Sequence, residues 1–203
     1  MKKLGFTLAE VLITLTIVGV IAAMTLPSLT ANVQKSQVGP ALAKAVNTLE
    51  NANRMALQQN EVRDLSAAIT SANTSTYIGL LETQISGSVD ANNSSVFTSK
   101  DGISFIIGTA GSVTAGNLTN KYSYKYYPVT IDTNGVNKKP NIGGEDRFDV
   151  LVDYAGTVIP VGGSEWKKYS SSTAVVECTS ANYLTQGTKC TGTVADNGWK
   201  VAF

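Results

Sequence analysis

Apolar positions along this chain come first as an unbroken run and then as stripes. From Phe6 to Leu26 almost every position is apolar or carries a small hydroxyl. Wound as a helix, that span is about 30 Å long, the thickness of a bilayer's hydrocarbon core. Glu10 is its only formal charge, and a carboxylate in apolar surroundings is costly unless something compensates it. After the run, Leu29, Val33, Leu42, Val46, Leu49, Ala52, Ala56 and Leu57 recur at helical spacings, with one wider gap at Gly39-Pro40. That pattern predicts an amphipathic helix over 28–62 with its apolar stripe toward a core. Ser28 is a candidate for a fresh N-cap. Gly19, Pro27 and Pro40 are candidate bending points, and Gly39-Pro40 is expected to bend or interrupt the helix, because proline removes a donor and crowds the preceding turn.

The helical period fades near Arg63. Tyr77 to Glu82 predicts a short connecting helix. Ser95–Thr98 and Ile103–Ile107, joined by Ser99-Lys100-Asp101-Gly102, predict a hairpin. Lys121–Ile131, rich in tyrosine and β-branched residues, predicts a third strand. Phe148–Val152 alternates and turns at Ala155-Gly156 into Thr157–Val161. Four or five short antiparallel strands with one apolar face would pack on the helical stripe, which is an α+β architecture.

Composition narrows the function. The chain has 203 residues, is 43% hydrophobic and 15% charged, and carries a net charge of +1. That composition supports a packed core. Near-neutral charge argues against nucleic acid as the main partner, and removing Lys2 and Lys3 takes +1 only to −1. The pairs Lys138-Lys139 and Lys167-Lys168 read as solvated surface. With no histidine in the chain, the usual general base, the Ser-His and Cys-His pairs and the common zinc sets are missing. A binding or structural role fits better than catalysis.

Lys2 and Lys3 precede the apolar run, so the positive-inside rule keeps the N-terminus cytoplasmic and the rest of the chain outside. A secretory signal peptide could end at Ala22-Ala23, but the carboxylate inside its apolar region argues against it. A plain membrane anchor fits the length and leaves Glu10 without a purpose. The stretch Gly5-Phe6-Thr7-Leu8-Ala9-Glu10 resembles the N-terminus of type IV pilins and type II secretion pseudopilins. The resemblance covers about 30 residues and extends to Gly19 and Pro27.

It implies a leader, 1–5, cut after Gly5 by a prepilin peptidase and methyltransferase, and N-methylation at Phe6. Residues 6–27 would be the membrane-spanning and polymerising helix, and 28–62 its amphipathic continuation. Residues 63–203 would form a pilin-like globular head outside the inner membrane. It also implies an assembly role for Glu10, whose carboxylate would pair with the free amine of Phe6 on its own or a neighbouring subunit. Partners would be further pilin or pseudopilin subunits and an inner-membrane assembly platform, with no nucleic acid. The alternative is a membrane-anchored adhesin or sensor that never polymerises.

Two head features carry further expectations. The loop Asp132–Asp146 opens DxNGxN, and oxygen ligands at alternate positions around a glycine turn suit calcium. Asp132, Asn134, Asn137 and Asp146 are the candidate Ca²⁺ ligands. The opposing reading is a turn cluster in which these side chains satisfy backbone groups. Cys178 and Cys190 are either one disulfide or two buried thiols, and an exported setting favours the disulfide. The tail they bound resembles the disulfide-bounded C-terminal region of many pilins.

Overall fold

A computed structural model of the chain describes residues 7–65, 74–109, 111–114, 123–168 and 178–201. The chain falls into two units, Met1–Gln37 and Val38–Phe203. Helix α1 spans Leu8–Gln59. It passes through Ser28, Gly39 and Pro40 as helix, so the expected fresh cap at Ser28 and interruption at Gly39-Pro40 are not found. One proline removes a single helical donor, which does not by itself end a helix that packing holds.

In the first unit, no side chain in the window Leu8–Leu26 is buried within the chain, and the segment is long and apolar enough to cross a membrane. Its hydroxyls bond back to their own helix. Thr14 donates to Val11 O (2.9 Å), Thr16 to Leu12 O (2.8 Å) and Thr25 to Ile21 O (3.0 Å). Such back-bonding satisfies a polar group where no water is at hand.

In the second unit, α1 supplies Leu42, Ala45, Val46, Leu49, Ala52 and Ala56 to the core. Val33, a member of the sequence stripe, is exposed, so burial of the stripe starts later than the pattern alone suggested. The side chain of Leu29 lies outside the described residues. Helix α2 follows at Thr74–Gln84. Among the described residues, seven antiparallel strands come next: β1 Gly87–Val89, β2 Val96–Ser99, β3 Ser104–Ile107, β4 Gly111–Thr114, β5 Ser123–Asp132, β6 Arg147–Asp153 and β7 Val158–Pro160.

The sheet order is β1-β2-β3-β5-β6-β7, with β4 also on β5. Strand β5 is the centre. Ile131 pairs with Phe105 on β3 and with Phe148 on β6. Alternation puts Phe105, Ile107, Tyr127, Val129, Ile131, Phe148, Val150 and Val152 into the core shared with α1, as a period of two requires. A buried polar node ties the layers: the Tyr77 hydroxyl donates to Asn53 Oδ1 (2.8 Å), and Asn53 Nδ2 donates to Gly156 O (3.2 Å). It links α1, α2 and the β6–β7 turn, and each buried polar group in it has a partner.

The C-terminal region holds helix α3 (Tyr183–Gln186), a 3-10 turn (Gly187–Cys190) and helix α4 (Thr191–Asp196). Cys178 and Cys190 are joined as a disulfide, with Cα atoms 5.5 Å apart.

Candidate functional site

The N-terminal end of α1 is a capping box. Thr7 N–H and Thr7 Oγ1–H both donate to Glu10 Oε2 (2.8 Å each), and Glu10 N–H donates to Thr7 Oγ1 (3.3 Å). The T-x-x-E spacing brings the two side chains together across the first turn and satisfies otherwise orphaned backbone donors. Glu10 is exposed and has no cationic partner among the described residues. Gly5 and Phe6 lie outside them. Thr7 is a functional neighbour of Glu10 that the apolar pattern does not mark, and the signal for it is the cap signature Thr7-Leu8-Ala9-Glu10. Gly19, Pro27 and Pro40 all fall within α1, and the side chain of Pro27 is outside the described set.

The loop between β5 and β6 holds itself together with its own donors. Asp132, fully buried, accepts from Gly135 N–H at Oδ1 (2.9 Å) and from Arg147 Nε at Oδ2 (2.9 Å). Asp146 accepts from Asn141 N–H (2.7 Å), Ile142 N–H (2.6 Å) and Asn134 Nδ2 (3.1 Å). Asn134 Oδ1 and Asn141 Oδ1 are buried without a hydrogen-bond partner. Two neutral oxygens fall short of the six to eight that calcium takes. No group of three or more acidic, His or Cys side chains gathers for a metal among the described residues. Asp132, Asn134 and Asp146 meet in one loop, but the carboxylates of Asp132 and Asp146 are engaged by the loop's own donors, and the residues do not fit a calcium cage. Asn137 makes no bond that adds to one.

Burial raises the Asp132 pKa above the ordinary aspartate value, and the Arg147 guanidinium pulls it back. A raised folded-state pKa means that the ionised form costs stability. Its contribution is therefore fully present below about pH 4 and is lost as pH rises through the folded value. Arg147→Leu removes the compensating cation. The variant is expected to lose about 2 kcal/mol at pH 7 and to regain most of it near pH 4. Thermal melts at the two pH values check this; an equal loss at both would contradict it. The same melts of the unaltered protein are expected not to move with calcium or chelator.

The last geometry is the C-terminal pair. Cys190 is fully buried and Cys178 nearly so, and Cys178 N–H donates to Thr193 Oγ1 (3.1 Å). The bridge therefore fixes the chain entering the tail to helix α4.

Residues 1–26 match the family model of the prokaryotic N-terminal methylation motif. The chain carries the type IV pilin and pseudopilin signal. No curated protein and no solved structure matches it. The signal and the apolar helix Leu8–Leu26 fit membrane anchoring. The helix-plus-sheet α+β architecture is consistent with a pilin-like fold.

Proposed function

We propose that the chain is the precursor of a filament subunit, a prepilin or pseudopilin. It is cut after Gly5, methylated on the new N-terminal Phe6, and polymerised through its N-terminal helix into a type IV pilus or a type II secretion pseudopilus. Residues 1–5 are the leader, 6–27 the membrane and polymerisation segment, 28–62 the linking amphipathic helix, and 63–203 the head. Before assembly the N-terminus is cytoplasmic and the head is outside the inner membrane. Partners are other subunits, the prepilin peptidase and an inner-membrane assembly platform.

The match at residues 1–26 carries this reading, and Glu10 at the start of an apolar helix supports it. The role is structural rather than catalytic. A non-polymerising anchored adhesin shares the apolar helix and needs Glu10 only as its cap. The test is the sheared extracellular fraction of cells holding the assembly machinery: the subunit reading expects the chain there only when the peptidase works. A chain that stays wholly in the membrane despite a working peptidase would favour the adhesin.

A further inference from the structure

We propose that Trp199–Val201 is a strap that closes over Gly39 and sets the point at which α1 becomes part of the head. The inference goes beyond the subunit reading and does not depend on polymerisation.

The local sequence aims the strap. Helix α4 ends in a Schellman motif: Trp199 N–H donates to Val194 O (2.8 Å) and Gly198 N–H to Ala195 O (3.0 Å). Gly198 takes the left-handed conformation such an ending needs, at φ 67°. Trp199 is left-handed too, at φ 62°. A bulky residue adopts that conformation only where its surroundings hold it there. The base of α4 is held by Gly192 N–H, which donates to Val161 O (2.8 Å).

The strap then meets α1 backbone to backbone. A Cβ placed on Gly39 would lie 2.1 Å from Trp199 O and 3.0 Å from its carbonyl carbon. The glycine hydrogen therefore points at that oxygen, as in a weak Cα–H···O contact. Val38, Trp199 and Val201 pack against the core, in which Leu42 is the α1 residue nearest the N-terminus. Gln37 and Ser36, the next residues toward the N-terminus, are exposed. The strap thus lies on the first turn of α1 within the second unit.

That turn is intrinsically poor helix. Gly39 has low helix propensity, and Pro40 deprives the Ser36 carbonyl of its usual donor. The far end of the chain supplies the support that the helix lacks locally. With the strap lifted, α1 would fray from Val38 toward Leu42, and the length of helix belonging to the head would shorten by about one turn.

Amide hydrogen exchange on the full chain in detergent tests this, comparing the unaltered protein, Gly39→Ala and a chain ended at Gly198. Both variants are expected to speed exchange across Val38–Ala45 by roughly tenfold or more while Arg147–Asp153 keeps its protection. The sign is diagnostic, because alanine in place of glycine in a helix that nothing touches slows exchange. Slower or unchanged exchange in Gly39→Ala would overturn the strap. Should Gly39→Ala not fold, the shortened chain decides alone. Unaltered protection of 38–45 there, or faster exchange across the whole sheet, would overturn it.

Discussion

Glu10→Ala is expected to give a chain that still inserts in the membrane but enters no filament. Among the described residues the Glu10 carboxylate is met only by Thr7, through one main-chain and one hydroxyl donor to Oε2. These donors are neutral. In an apolar setting a carboxylate gains far more from a cation, and on the proposed cut the cation is the amine of Phe6. Removing one member of such a pair leaves the other unpaired, at about 3 kcal/mol or more, equivalent to a fall in incorporation of roughly a hundredfold. Anchoring should hardly change, because the rest of Leu8–Leu26 remains apolar. Thr7→Val is the control. It removes the cap, worth about 1 kcal/mol, keeps the charge, and should cost incorporation far less. Glu10→Ala recovered in sheared filaments at the unaltered level would mean that pairing of the Glu10 carboxylate does not drive assembly.

Breaking the Cys178–Cys190 bridge is expected to have the largest effect on the stability of the head. The residues are 12 apart in sequence. Closing a loop of that size restricts the unfolded chain by about 3 kcal/mol, which for a head of this size is a fall in Tm of about 6–12 °C. Both half-cystines are buried in the core, beside Val194. Cys178→Ala with Cys190→Ala should therefore lower the melting point by that amount while the sheet still forms. A melt unmoved by the double change, or by reductant under denaturing pre-treatment, would show that packing alone holds the tail.

What was legible in the sequence followed from period. Phe148, Val150 and Val152 recur at every second position and form the core face of β6, with the apolar Leu151 buried on the other face. The hairpin of β2 and β3 was marked by Asp101-Gly102 between two apolar runs, and its strands pair as the turn requires. Two strands were missed. Gly87-Ser88-Val89 and Gly111-Ser112-Val113-Thr114 are small and polar, with nothing to alternate. They are strands because β2 and β5 offer them backbone partners. Helix α4, Thr-Gly-Thr-Val-Ala-Asp, has poor intrinsic propensity and sat inside a Ser/Thr-rich tail. Burial of Cys190, Thr191 and Val194 makes it a helix. Gly39 shows the same limit from the other side. Its composition signalled a bend, but its role is to let the Trp199 carbonyl approach, and local pattern does not record which distant segment arrives. The candidate calcium loop was legible as a cluster of oxygens. Its Arg147, outside the DxNGxN pattern, is what engages Asp132.

The central claim is that the chain is a prepilin-type precursor matured at Gly5. The most direct measurement is the intact mass and N-terminal peptide of the chain recovered from membranes of a cell with a working prepilin peptidase. The account predicts a chain beginning at Phe6, heavier by one methyl group on its N-terminal amine. A chain beginning after Ala23, or one still carrying Met1 to Gly5 in the presence of that peptidase, would contradict it.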